Sequence, residues 1–216
     1  YDIMKRHAKK ALLVGNIEIP YTGYALESDK DSVTVAEISS FQLETMVTFK
    51  PHVTAILNIT PDHLDRHKTL ENYIAIKESI TKNQDENDFC VLNYNDPVLR
   101  EFGKTPRCKV IFFSSSEELE SGVFLRGDTM IIKENGVETP VCTTKDTSLV
   151  GMHNYENIMA AIAMTHAMGV PLDTIRQGIK EFTAVEHRIE FVTEKNGVKY
   201  YNDSKGTNPD AAAEIT

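Results

Sequence analysis

The sequence has 216 residues, 41% of them hydrophobic and 25% charged, an ordinary globular balance that fits one large α/β domain or two small ones. Its 23 Lys and Arg against 32 Asp and Glu leave a formal charge of −9. That excludes a surface that coats nucleic acid, because such affinity comes from clustered cations, and no stretch is long and apolar enough for a membrane-spanning helix.

Tyr1 to Lys10 reads as the tail of a helix, with basic residues in its last turns. A short apolar run follows at Lys10-Ala-Leu-Leu-Val14, closed by Gly15-Asn16. Val33–Ile38 and Val53–Ile59 are near-continuous β-branched runs, the pattern of strands covered on both faces. Between them, Phe41, Leu43, Met46, Val47 and Phe49 recur at helical spacing up to Pro51. A second helix is expected over Thr69–Asn83, then strands at Phe89–Leu92 and Lys109–Phe113 around a helix near 95–102. Strand–helix–strand alternation predicts an α/β fold with a mostly parallel sheet flanked by helices. The acids at 117, 118 and 120 read as a solvated helix face. From Gly122 to Thr144, Gly127-Asp128 and Asn135-Gly136 are hairpin signals, so a small antiparallel ribbon is expected there. Helices follow at Asn154–Met168 and Leu172–Phe182, and a second hairpin around Asn196-Gly197. Asn208-Pro209-Asp210 is a helix start with only six residues after it, so the chain reads as a segment of a longer protein. Cys90, Cys108 and Cys142 have no C-x-x-C spacing and are expected to be buried, reduced thiols of a cytoplasmic protein.

Ligands of open parallel sheets bind at the carboxyl ends of strands. Glu37 ends one strand, before Ser39, and the next runs into Thr60-Pro-Asp-His63-Leu-Asp65-Arg-His67. If the two strands lie close, Glu37 faces His63 and Asp65, a donor set suited to Mg²⁺ or Mn²⁺ held partly by phosphate. The plainer alternative makes Glu37 a helix-capping acid and the histidines surface residues. A third reading takes His63-x-Asp65-x-His67 as a hydrolytic metal site. Near the end, Asn202-Asp203-Ser-Lys205-Gly-Thr207-Asn208 gathers a carboxylate, a cation and hydroxyls before a helix start. Backbone N–H groups and Lys205 there favour a phosphate, and Asp203 suits ribose hydroxyls; an ordinary strand-to-helix loop is the alternative. His153, Asn154 and Asn157 open a helix, as caps or as ligand contacts, with the Asn157 amide able to read a base edge. Arg188 is either a phosphate contact or the partner of a surface acid.

Taken together, Ala-Glu37-Ile-Ser-Ser-Phe-Gln-Leu-Glu44, Leu-Asn58-Ile-Thr-Pro-Asp-His63-Leu-Asp65-Arg-His67, Gly-Met-His153-Asn-Tyr-Glu-Asn157 and Asn202-Asp203-Ser-Lys205-Gly-Thr207-Asn208 resemble the Mur ligase family, in family order over nearly the whole chain. The first and last blocks are most similar to the branch that joins D-glutamate to UDP-N-acetylmuramoyl-L-alanine in peptidoglycan synthesis. The resemblance implies ATP- and Mg²⁺-dependent amide ligation through an acyl phosphate, by a cytoplasmic enzyme expected to be monomeric. It implies Glu37 and His63 as metal ligands with Ser39 nearby, and Asn16 on the UDP-sugar. It places Asn157, Arg188 and Asp203 on the base, phosphates and ribose of ATP, and Lys205 and Thr207 on the transferred or terminal phosphate. Lys77 matches the family's carbamylated lysine, although it lies about 12 Å along a helix that starts at Thr69. Gly206 stands where Ala is more usual. The family's Gly-rich phosphate loop is absent. Residues 1–207 are therefore expected to be a central ATP-binding domain without that loop, inactive alone, and 208–216 the start of a helix toward a further domain. A catalytically silent nucleotide-binding or scaffolding protein is the alternative.

Overall fold

In the computed structural model, which describes residues 1–17, 19–183, 190–202 and 204, the elements run α1 (Asp2–His7), β1 (Lys10–Gly15), β2 (Ser32–Glu37), α2 (Ser40–Leu43), β3 (Val53–Ile56), α3 (Leu64–His67), α4 (Leu70–Glu78), β4 (Phe89–Asn93), α5 (Pro97–Phe102), β5 (Lys109–Ser114), β6 (Gly122–Arg126), β7 (Thr129–Glu134), β8 (Val137–Thr143), α6 (Met152–Ala167), α7 (Leu172–Glu181), β9 (Glu190–Lys195) and β10 (Val198–Asn202). β3 to β8 form one six-stranded sheet in sequence order, parallel from β3 to β6 and antiparallel from β6 to β8. β1 and β2 form a parallel pair, β9 and β10 an antiparallel one. The fold class is the α/β arrangement that the alternation predicts. The stretch from Gly122 to Thr144 is antiparallel, as its hairpin signals predict, and Phe113 and Ser114 pair with Val123 and Phe124, which joins it to the main sheet.

The period of two along a strand divides the core. Val91, Phe113 and Val123 face α6, where Ile158, Met159 and Ile162 close over them, with Val33, Val35 and Val53 packed against the same cluster. Cys90 and Leu92 face the other way, against Leu99 and Phe102 of α5 and Cys108. β4 is thus covered on both faces, as its unbroken apolar run implies. β2 is not: Val33 and Val35 are half-buried, but Thr34 and Ala36 are exposed. All three cysteines are free and buried. Among the described residues no helix is long and apolar enough to cross a membrane.

Three local expectations need correction. The helical spacing from Phe41 to Phe49 yields a single turn, α2, opened by a reciprocal cap between Ser39 and Gln42. Beyond it the carbonyls that would continue a helix are taken by side chains: Lys82 Nζ donates to Met46 O, and Asn83 Nδ2 donates to Val47 O and Phe49 O at 2.9 and 2.8 Å. The helix from Thr69 tightens to a 3₁₀ turn at Ser79–Thr81, where Ser79 Oγ and Thr81 Oγ1 donate to Ile76 O and Glu78 O, the competition hydroxyls offer to a helical backbone. The acids at 117, 118 and 120 lie in an irregular segment rather than on a helix. There Ser114 Oγ accepts from the Ser116 and Glu117 amides.

The amino ends of β3 and β4 are tied by charge. Lys50 Nζ donates to Asp85 and lies 3.1 Å from Asp88 Oδ2, while His52 Nδ1 is 3.0 Å from Asp88 Oδ1. The Lys50 ammonium, then the Asn87 amide, hold the Asp85 carboxyl down at about 2, against an ordinary 3.8. A depressed carboxyl contributes stability above its unfolded value and loses it as pH falls through the folded one. The urea-unfolding difference between wild type and Lys50→Met is therefore expected to be full above about pH 4 and to vanish toward pH 2.

Candidate functional site

The carboxyl ends of β1 and β2 meet at Gly15 and Glu37. Gly15 has φ +103°, and a Cβ there would run into the Glu37 carbonyl. That close approach lets the Asn16 amide donate to Glu37 O at 2.8 Å, while Asn16 Nδ2 donates to Glu37 Oε1 at 3.1 Å. The two exposed side chains are thus placed by one backbone contact. Gly15→Ala is expected to cost about 3 kcal/mol, from the left-handed φ and the overlap together, read as a lower Tm. Glu37 does not cap α2. Ser39 does: its Oγ accepts from the Gln42 amide at 3.3 Å, and its own amide donates to Gln42 Oε1 at 2.8 Å. The capping alternative for Glu37 therefore falls away.

Beyond β3, His63 adopts the left-handed conformation (φ 52°) as the residue before α3. Its amide donates to Asp62 Oδ1, and its ring, 47% exposed, lies 4.9 Å from that of Phe41. His67 differs from it. Its side chain is fully buried, its Nε2 is 2.9 Å from Ser40 Oγ, and its ring stacks on Phe41 at 5.5 Å and meets Tyr73 at 5.3 Å. Nδ1 lies 3.3 Å from Glu44 Oε1, near enough for attraction but off the direction of a hydrogen bond. Glu44 is meanwhile gripped in two places by Arg66, whose guanidinium holds that carboxyl below the usual carboxylate range. With His67 committed to Ser40 and the core, His63-x-Asp65-x-His67 does not converge as a hydrolytic metal site. Among the described residues no group of three or more His, Cys, Asp or Glu side chains comes together for one.

Lys77 reaches back to this region. Its Nζ donates to Asn58 O at 3.4 Å and sits 4.9 Å over the Tyr73 ring. The 12 Å along the helix is thus covered by the way α4 runs beside the segment after β3. Glu37 offers an exposed carboxylate at the end of β2 and His63 an exposed imidazole before α3, but β2 and β3 belong to different sheets, so strand pairing does not bring the two together. Mg²⁺ keeps most of its water or phosphate oxygens and needs only one or two carboxylates, so by donor type the two side chains suit magnesium or manganese held with a phosphate rather than the closed N/S cage of zinc.

Asn157 lines an open, largely apolar groove of about 180 Å³ among α1, α6 and α7, together with Asp2, Leu149, Gly178 and Phe182. Arg188, Asp203, Lys205 and Thr207 lie outside the described residues. Two groups escaped the sequence reading. Glu44 stands in a quoted block without a role, and the cap at Ser39 hides its ties to Arg66 and His67. Glu156, in the first turns of α6, binds residues 41 to 63 positions away, a relation that no local pattern carries.

Residues 1–165 match the model of the Mur ligase middle domain. The chain is 54% identical over 98% of its length to a UDP-N-acetylmuramoylalanine--D-glutamate ligase of Lachnoclostridium phytofermentans, and 50% identical over 98% to one of Lachnospira eligens. It spans 46% and 47% of those two proteins, about half the length of each. Among solved structures it resembles MurF of Acinetobacter baumannii (TM-score 0.72, 20% identity, 99% of this chain and 48% of that one) and MurF ligase of Thermotoga maritima in complex with ADP (TM-score 0.71, 19% identity, 100% and 51%). Those two likenesses speak for the fold. With the family model covering most of the chain and close relatives along nearly all of it, the chain belongs to the Mur ligase family, as a middle domain.

Proposed function

We propose that this chain is the central ATP-binding part, residues 1–207, of a cytoplasmic, monomeric ligase that joins D-glutamate to UDP-N-acetylmuramoyl-L-alanine. The observation that carries the reading is the 54% identity, over 98% of the chain, to a ligase named for that reaction. A carboxylate is a poor electrophile, so the substrate oxygen first attacks the γ-phosphorus of ATP and the bond to ADP breaks. The lone pair of the D-glutamate amine then attacks the acyl carbon, phosphate leaves with the C–O bonding pair, and the nitrogen loses a proton to solvent. Mg²⁺, bound with the phosphates, supplies charge neutralisation for these crowded oxyanions.

The chain's residues take the following parts. Glu37 and His63 hold the metal, and Asn16, tied to Glu37, contacts the UDP-sugar with Ser39 beside it. Lys77, as a carbamate, orients the metal from the α4 side. Asn157 meets the base of ATP in its groove, Arg188 a phosphate and Asp203 the ribose. Lys205 and Thr207 receive the phosphate being transferred. The 216 residues alone are inactive, since a phosphate loop is needed to cradle the nucleotide.

The test is ADP release by the full-length protein with UDP-N-acetylmuramoyl-L-alanine, Mg²⁺-ATP and a panel of amino acids. Release that needs both the nucleotide sugar and D-glutamate supports the reading. A folded protein that binds nucleotide but releases no ADP with any amino acid overturns it in favour of a silent scaffold.

A further inference from the structure

Glu156 sits on α6 above the carboxyl ends of β4 and β5, and both of its oxygens are engaged. Oε2 accepts from Asn93 Nδ2 at 3.2 Å; Oε1 accepts from Ser115 Oγ at 2.5 Å and from Asn95 Nδ2 at 3.3 Å. The partners are themselves fixed. Asn93 Oδ1 accepts from the Asn95 amide at 2.9 Å, Asn95 Nδ2 also donates to Ser115 Oγ at 2.6 Å, and Asn95 Oδ1 accepts from Ser114 Oγ at 2.6 Å. Asn93 is 5% exposed and Ser114 fully buried. Turning the Asn93 amide over would set its oxygen against the carboxylate and its NH₂ against the Asn95 N–H, so the donor arrangement admits one orientation.

Adhesion alone does not call for this cluster. Ile158, Met159 and Ile162 already seal α6 to the sheet, and a half-buried carboxylate bonded only to neutral donors is a costly way to add packing. What three bonds to two oxygens add is direction: they fix the rotation of the first turns of α6 and their shift along the axis. Asn157 is the next residue, about 100° further round the helix, and it lines the groove between α6, α1 and α7.

We infer that Glu156 is a positioning residue that sets the base selectivity of the nucleotide site by holding Asn157 against the groove. The inference rests on the reading that Asn157 meets the base of ATP. Loosening the anchor lets α6 turn, and a displaced amide no longer separates a 6-amino purine from a 6-oxo one. Misplacement on this scale costs roughly ten- to a hundredfold.

The experiment compares wild type, Asn157→Ala, Glu156→Gln, Glu156→Ala and the double variant in the full-length protein. It reads kcat and KM for ATP and GTP, and in parallel the displacement of a fluorescent nucleotide by ADP and GDP. Glu156→Ala is expected to raise KM for ATP about tenfold with kcat nearly unchanged, and to lower ATP-over-GTP preference toward that of Asn157→Ala. Glu156→Gln falls between, and the double variant is no less selective than Asn157→Ala alone. If Glu156→Ala fails to fold, Ser115→Ala and Glu156→Gln, which each weaken the anchor, carry the same selectivity test. The inference is overturned if Asn157→Ala lowers selectivity while the Glu156 variants keep that of wild type. If Asn157→Ala itself leaves selectivity unchanged, the assignment of Asn157 to the base fails, and the inference with it. Absence of amino-acid-dependent ADP release in wild type counts against the ligase reading alone, because the displacement arm still measures selectivity.

Discussion

On the proposed role of Lys77, Lys77→Ala in the full-length protein is expected to lower D-glutamate-dependent ADP release by about 100-fold, the scale seen when a group that orients a metal is removed, and added acetate is expected to restore part of it. The amine of Lys77 lies in reach of the Asn58 carbonyl and over the Tyr73 ring, beside the segment that carries His63. Carbamylation turns this cation into an anion: the ammonium first gives up a proton, the freed nitrogen lone pair forms a bond to the carbon of CO₂, one C=O π bond opens, and a second proton goes from nitrogen to solvent. The resulting carboxylate-like head is what acetate replaces in the cavity left by Ala. Lys77→Arg separates the two roles. Arg keeps the positive charge and cannot be carbamylated, so it should be as inactive as Ala. Near-wild-type activity in the Arg variant, or acetate without effect on Ala, would show that Lys77 acts as a plain cation. Activity of wild type should also fall in CO₂-depleted buffer and return with bicarbonate.

Lys77 shows where sequence reading stops. Counting residues along α4 gives the distance from the helix start, and that distance argued against a role at the strand ends. The direction of the helix is not local information. It depends on Thr69 capping the first turn and on Tyr73 being 4% exposed against His67, contacts between segments with no shared pattern. The strands were readable for the opposite reason. β4 and β5 are short β-branched and aromatic runs whose burial on one or both faces is written in their composition. The helix expected over Phe41–Phe49 failed because periodicity reports only which faces are apolar. It cannot report that Lys82 and Asn83 would claim the carbonyls of Met46, Val47 and Phe49. A strand-end rule singles out Glu37 and the segment that carries His63 as candidates. Their anchors, Gly15 beneath one and Phe41 beside the other, became visible only in three dimensions.

The rings between these residues form a continuous line, His63 on Phe41, Phe41 on His67, His67 on Tyr73, with the Lys77 ammonium over Tyr73. His67 is the middle of that line and its only fully buried imidazole among the described contacts. His67→Ala is expected to destabilise the protein by about 2–4 kcal/mol: it opens a cavity between two rings and strips Ser40 Oγ of its 2.9 Å partner. Three further variants divide that sum. His67→Phe keeps the ring volume and loses the hydrogen bond, so it should cost about 1–2 kcal/mol. Ser40→Ala combined with His67→Phe should cost less than the two changes taken separately, because each single variant leaves the other partner unsatisfied. Urea unfolding measures all four. The activity readout has a different expectation. Because His63 and Lys77 lean on opposite ends of the same stack, His67→Ala should lower ADP release even at temperatures where the variant is fully folded, and His67→Phe should recover most of that loss. A fully folded His67→Ala with wild-type release would mean that the ring line stabilises the fold without placing its two ends.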